Sequence, residues 1–444
     1  MYTKLSGILC IILIFALILT GCGSGNTSSA VNSGETVSPD SKTLVNSREA
    51  VTVTENVTVE FWHTCSGALG EMLEAQINKF NTSNTMGVTV VGTYKGGSGD
   101  LMDLVKKNYG TNDVPDMLVT GGGGTETLAA AGVLVDMAAY VKRDNFDMSD
   151  IPQSIRYYSE YFPGQIVQFP YQVNASIIYY NKAYYPDGFP TTLEDWINAA
   201  QKISAETPGV YGMGIPPDTG YTLRPLIRSL GSPGFSTQDG TVAGCLEDGS
   251  LEKMMTDWLS WIDGSYCIGI NNTDVTASFM KGEVAAFPIS CVNTVDYAQR
   301  TEQAGIELGY APCVGYGGYA GGLGGSGICL LDSSTDQELA ACWEFIKFLY
   351  EDEQIIEGTI TGGFVPLTYS STKSQQIQDF WAEYPGNRVA FEALENATYN
   401  EWSPNMVQWR NEIRAMLLEV VSNRTLTPAE AIRQLERRAP VVLG

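Results

Sequence analysis

The chain has 444 residues, 44% hydrophobic and 10% aromatic, with 26 Lys and Arg against 50 Asp and Glu and a formal charge of −24. So large an acidic excess argues against nucleic acid, whose binding rests on Lys and Arg, and against a polybasic membrane patch. With a single histidine, His63, a zinc site built on two or three histidines is excluded, and any Ser–His–Asp triad would have to run through that residue.

Lys4 gives a weakly basic start, and Ile8 to Leu19 is almost continuously apolar, too short for a comfortable membrane span. It ends in Leu19-Thr20-Gly21-Cys22, which reads as a secretory signal over residues 1–21 with lipid attachment to the Cys22 thiol. The alternative is an uncleaved anchor helix. Lipidation makes the chain membrane-anchored on the extracellular face rather than spanning. Gly, Ser, Thr and Asn then dominate, so residues 22–50 read as a flexible tether. The remaining length suits two domains.

Val57-Thr58-Val59-Glu60-Phe61-Trp62-His63 alternates as a half-buried strand does and breaks into Thr64-Cys65-Ser66-Gly67. Leu69, Met72, Leu73, Ile77 and Phe80 then follow helical spacing. Val88–Tyr94 is a second predicted strand and Asp100–Lys107 a helix. Pro115–Thr120 is a third strand, followed by a Gly121–Gly124 loop and a helix from Thr125 or Glu126. Three strand–loop–helix units predict an α/β fold with a mostly parallel sheet covered by helices. Ligands of open α/β sheets sit beyond the carboxyl ends of such strands. The glycine run either lets a ligand approach the backbone or simply supplies a tight turn.

Phe169–Asn174 with Ile177–Lys182 reads as a crossing segment into a second lobe. Thr192 is a predicted N-cap, and helices are expected over Tyr221–Leu230 and Leu251–Ile262. The glycine-dense stretch from Gly315 to Gly327 reads as a loop feeding the apolar strand Ile328–Leu331. Helices over Trp343–Tyr350, Val407–Val421 and Pro428–Arg438 follow, the last capped by Thr427 with Pro428 in its first position.

Seven cysteines remain after Cys10 and Cys22, with no Cys-x-x-Cys. Several lie in apolar runs, where cysteine behaves as a small buried hydrophobe. A disulfide between some pair is compatible with an extracellular setting.

Several of these segments, in this order, resemble the solute-binding proteins of bacterial ABC importers of the carbohydrate-uptake type. The segments are Phe61-Trp62-His63 with Gly67, Phe80-Asn81 and Tyr94-Lys95-Gly96, then Tyr179-Tyr180-Asn181-Lys182 and Phe279–Phe287. Gly362–Leu367 and the Thr427-Pro428 helix complete the set. The nearest match is the glycerol-3-phosphate-binding branch. The resemblance implies a two-lobed, periplasmic-binding-protein-like fold with hinge crossings. The first lobe would hold residues 51–168 plus about 311–360, and the second about 169–310 plus about 361–444. It implies a sugar or organophosphate ligand captured between the lobes, ABC permease subunits as partners, no cofactor and no enzymatic step. Arg410 falls where that branch has an arginine on the ligand phosphate, and Gly324 and Gly325 match its glycine pair. Ser66 and Gly122 stand where it has glutamates, Ser98 and Phe364 where it has tyrosines, and Pro216–Tyr221 departs from its two tryptophans.

Sugar sites need aromatic faces and planar polar groups, which makes Tyr171, Tyr221, Phe364 and Trp402 candidates. His63, at a strand end, is either a ligand hydrogen-bonding group or a histidine satisfied by backbone. Arg410 is either the ligand's cation or half of an ion pair near Glu412 or Glu419. A secreted carbohydrate-active hydrolase is the alternative that 50 carboxylates allow, although no motif isolates a catalytic pair.

Overall fold

The computed structural model describes residues 45–111, 113–160, 164–235, 243–269, 272–398, 401 and 405–443. The expected signal segment, Cys22 and Trp402 lie outside them.

The main sheet is built from β1 (Val57–His63), β2 (Val88–Tyr94), β3 (Met117–Gly121), β4 (Phe169–Asn181), β5 (Ala286–Ser290), β6 (Leu308–Pro312) and β7 (Leu323–Leu330). Its order is β6-β4-β7-β3-β1-β2, with β5 also paired to β4. The expected parallel pairing holds for β1 with β2 and with β3. The expectation of a mostly parallel sheet needs correction beyond that point. β7 pairs antiparallel with both β3 and β4, and β5 and β6 pair antiparallel with β4. These strands return beside β4 from the opposite direction, so their ladders run antiparallel.

Alternation along the strands explains how the sheet is covered. Val57, Val59 and Phe61 of β1, Met117 and Val119 of β3, and Ile328 and Leu330 of β7 enter one large apolar cluster. Val173, Ala175, Ile177 and Tyr179 of β4 continue it on the same face. On the other face Trp62, Leu118 and Cys329 join a small cluster with Leu101, Met102 and Leu128. Further along β4, Ile178 and Tyr180 join a different cluster with Trp196, Trp258 and Trp409. Two apolar clusters thus cover that face at its two ends. Between them β4 presents Gln172, Asn174 and Ser176.

The helices form where their sequence patterns place them, with shifted ends. They include α1 (Ala68–Ser83), α2 (Ser98–Asn108), α3 (Gly122–Ala130), α4 (Leu193–Glu206), α5 (Ser250–Asp263), α6 (Asp336–Leu349), α7 (Asp352–Gly362), α8 (Met406–Val421) and α9 (Pro428–Val442). Thr192 caps α4 by accepting from the Asp195 amide, and Thr427 with Glu430 forms a capping box at α9.

Several boundaries differ from the sequence expectation; the helix expected from Trp343 begins at Asp336, and the one expected from Tyr221 begins at Arg224 after an irregular turn. Val45–Ser47 is already a strand, parallel to Leu134–Asp136, so the tether cannot extend to residue 50. The glycine run is the first turn of α3 rather than a loop. The helix lies so close on β3 that a Cβ at Gly124 would overlap the Thr120 hydroxyl. Part of the stretch expected as a glycine loop, Leu323–Gly327, is strand, held by its pairing to β4. No disulfide forms among the described residues, and the seven cysteines are free and buried.

Candidate functional site

The polar stripe of β4 lies where the two apolar clusters of its face stop. A buried strand tolerates such residues only when each finds a partner. The Asn174 side-chain oxygen accepts from the Tyr221 hydroxyl at 2.9 Å and the Ser290 hydroxyl at 3.0 Å. Ser176 Oγ accepts from the Gly322 amide at 2.8 Å. Gln172 accepts from Ser326 Oγ at 3.2 Å and donates to Cys65 Sγ at 3.3 Å. The stripe thereby ties together β4, β7, the end of β5 and the loop after β1.

Tyr221 reaches the stripe from an irregular turn, Thr219–Leu223, ahead of the helix Arg224–Ser229. Asp218 caps this turn by accepting from the amides of Gly220 and Tyr221 at 2.9 and 2.6 Å. Opposite it, a Cβ at Gly324 would overlap the Tyr221 hydroxyl, so the glycine is what admits the ring. Gly325 has φ +121°, and a Cβ there would overlap the Gln172 carbonyl. Its own carbonyl accepts from the buried Tyr158 hydroxyl at 2.9 Å.

Arg410 lies in the second turn of α8 and reaches α3. Its Nη1 and Nη2 donate to Glu126 Oε1 and Oε2 at 2.8 and 2.6 Å, a two-pronged ion pair. The Glu126 side chain is 1% exposed and that of Arg410 15%. Burial pushes the Glu126 carboxyl upward, and the charge and hydrogen bonds of Arg410 oppose this. Arg224, fully buried, lies within electrostatic reach of the same groups, and burial lowers its guanidinium. Arg228 pairs with Glu401 at 3.2 Å.

Gly122, Tyr221, Gly324, Gly325 and Arg410 are thus gathered around β7 and the start of α3. Ser98 is exposed at the start of α2 and, with Gly122, Lys106 and Thr127, lines a cavity of about 360 Å³. Ser66 is exposed beside Cys65. Tyr171 and Phe364 lie together at a narrow space of about 20 Å³ with Leu69 and Gln172, and the Tyr171 hydroxyl is buried there without a hydrogen bond. His63 stands apart from this gathering. Its ring is buried between Phe61 and Tyr94, and burial lowers its pKa, leaving it neutral near pH 7. Arg410 pairs with Glu126, not with Glu412 or Glu419: Glu412 pairs with Arg438.

Sequence reasoning did not single out Gln172, Asn174, Ser176, Glu126 or Arg224. The strict alternation Gln172-Val173-Asn174-Ala175-Ser176-Ile177 was the available signal for the first three. Glu126 offered only a lone carboxylate within an apolar helical run. A separate cavity of about 570 Å³, lined by Pro217, Asp218, Cys267, Arg414 and Leu418 among others, shares no lining residue with the stripe.

A family model described as bacterial extracellular solute-binding protein matches residues 75–387. The sn-glycerol-3-phosphate-binding periplasmic protein UgpB of Rhizobium meliloti (strain 1021) is 24% identical over 356 residues, covering 74% of this chain and 80% of the relative. Its namesake in Shigella dysenteriae serotype 1 is 25% identical over 377 residues, covering 80% and 83%. Among solved structures, the cyclic alpha-maltosyl-1,6-maltose binding protein from Arthrobacter globiformis superposes with a TM-score of 0.75 at 19% identity, covering 88% of this chain and 99% of the other. UgpB from Mycobacterium tuberculosis, in complex with glycerophosphocholine, gives 0.72 at 19% identity with the same coverage. The fold is therefore the two-lobed α/β fold of these binding proteins. The chain belongs to the bacterial extracellular solute-binding protein family, whose members are binding proteins and not enzymes.

Proposed function

We propose that this protein is the lipid-anchored solute-binding component of an ABC importer, and that it captures a neutral carbohydrate between its lobes and delivers it to the permease. The lobes are residues 51–168 plus about 311–360, and about 169–310 plus about 361–444, with Cys22 carrying the anchor. The observation that carries the choice of ligand is the two-pronged Glu126–Arg410 pair. The guanidinium fork that an anionic ligand would use is already filled by a carboxylate.

The polar stripe supports the same reading. Asn174, Gln172, Ser176 and Ser290 supply planar amides and hydroxyls, and Tyr171, Tyr221 and Phe364 supply ring faces, the chemistry that sugars need. Ser66, Ser98, Gly122, Gly324 and Gly325 complete the proposed neighbourhood, and His63 supports it from outside by packing between Phe61 and Tyr94. Likeness to both a maltosyl-saccharide binder and glycerophosphocholine-bound UgpB leaves two ligand classes to compare.

Thermal melting of the protein against neutral mono- and oligosaccharides, sn-glycerol 3-phosphate and glycerophosphodiesters tests the choice. A ligand that binds only the folded protein raises its stability by about 2.7 kcal/mol at a hundredfold excess over Kd. A rise with a neutral saccharide alone is expected, and a rise with the phosphates alone would reverse the assignment. Cys22→Ala is expected to move the protein from the membrane fraction to the soluble one, and retention at the membrane would remove the anchor.

A further inference from the structure

We propose that Glu126 is a built-in counter-anion that closes the site to anionic solutes, so that this one residue sets the charge specificity of the cleft. The inference rests on the reading of the cleft as a neutral-solute site. Both carboxylate oxygens are engaged by both terminal nitrogens of Arg410, at 2.8 and 2.6 Å. That is the arrangement in which a guanidinium recognises a planar anion. The carboxylate is closed off from water while the guanidinium keeps a partly open side. On the α3 side a Cβ at Gly123 would be in ordinary contact with Arg410 Nη2, at 3.9 Å.

The surroundings make the charge consequential. Arg224, Arg228 and Arg410 share this region with Glu126 and Glu401. Arg224 within this cluster is buried. Neutralising Glu126 removes the carboxylate that holds both terminal nitrogens of Arg410. Buried charge without a counterion is costly, so a mobile anion is drawn into the place of the lost carboxylate. Phosphate fits, because its oxygens accept two parallel hydrogen bonds from one guanidinium. In the intact protein the tethered carboxylate competes with any such ligand at very high effective concentration.

The test uses the whole mature protein with inorganic phosphate and sn-glycerol 3-phosphate as probes, by thermal melting and titration calorimetry. The wild type is expected to ignore both. Glu126→Gln keeps the side chain's size and removes its charge. It is expected to gain a saturable midpoint rise with both probes and an affinity gain of at least about tenfold. Arg410→Gln added to Glu126→Gln is expected to abolish that gain.

Glu126→Ala is the second variant. Its midpoint is expected to rise more in phosphate or acetate than in chloride at equal ionic strength. Folded variants that respond no more than the wild type overturn the inference, as does a Glu126→Ala chain that stays unfolded in excess phosphate. A wild type that itself binds the phosphates overturns the neutral-solute reading and this inference together. A wild type that binds a neutral saccharide, with variants blind to phosphate, overturns this inference alone.

Discussion

Replacing Arg410 by Gln leaves the Glu126 carboxylate on α3 with its main partner gone, and replacing Glu126 by Gln does the converse to Arg410. The Glu126 side chain is 1% exposed and that of Arg410 15%, so water can do little to solvate what remains. Breaking a buried ion pair from one side costs about 3–5 kcal/mol. Arg224 remains within reach of Glu126 and Arg410 keeps its partly open side, which places each single variant near the lower end, about 3 kcal/mol. The double variant buries no orphan from this pair, and two Gln side chains can still hydrogen-bond. Its cost should therefore fall short of the sum of the single costs, by an amount in the upper part of the about 0.5–3 kcal/mol coupling seen between residues in direct contact. Urea unfolding followed by far-UV circular dichroism on the four proteins measures that difference. Single costs below about 1 kcal/mol that add within about 0.5 kcal/mol would show that the pair behaves as a surface bridge, and would refute its treatment as buried.

Gly325→Ala must place a Cβ at φ +121° against the Gln172 carbonyl, and a loss of at least about 2 kcal/mol is expected in thermal unfolding. The seven cysteines of the body are buried, and burial raises the thiol pKa at each. A thiol reagent near pH 8 should find none of these seven in the native protein and all seven after unfolding, and their fast native labelling would contradict this burial. Asp144 accepts from Arg143 at 2.6 and 2.8 Å, Lys347 at 2.6 Å and the Trp343 ring nitrogen at 2.9 Å. The hydrogen bond from Arg143 is the main cause that holds its carboxyl well below the usual range. A depressed folded pKa gives stability that is full above the unfolded value, near ~3.9, and is lost as pH falls below it. Asp144→Asn should therefore be less stable at pH 7, with the gap narrowing below about pH 4 in urea titrations.

Local signals carried much of the fold. Val57–His63 and Val88–Tyr94 coincide with their alternating stretches, and Thr192 and Thr427 cap the helices expected of them. These features depend on neighbours within one or two turns, which a sequence shows directly. What escaped depends on distant partners. Leu323–Gly327 is strand because residues 170–175 lie beside it on one side and Thr120 and Gly121 on the other, and Gly324 and Gly325 are required by Tyr221 and the Gln172 carbonyl. The helix of Arg410 was legible, but its partner lies 284 residues earlier, while Glu412 and Glu419 were the acids in view along the same helix. The polar alternation of β4 could be read from the sequence. That it lies between two apolar clusters could not, because the clusters are assembled from separate segments of the chain.

The location of the site is tested most directly by calorimetric titration of the neutral saccharide that stabilises the wild type into Asn174→Ala. Asn174 is the residue on which Tyr221 and Ser290 converge. Removing it takes away an amide that can meet a sugar hydroxyl and leaves two hydroxyls without their acceptor. A loss of about 1.4–2.8 kcal/mol, ten- to hundredfold in Kd, is expected with the fold intact. An unchanged Kd in a folded Asn174→Ala protein would place the ligand elsewhere, with the cavity at Arg414 and Asp218 the first place to look.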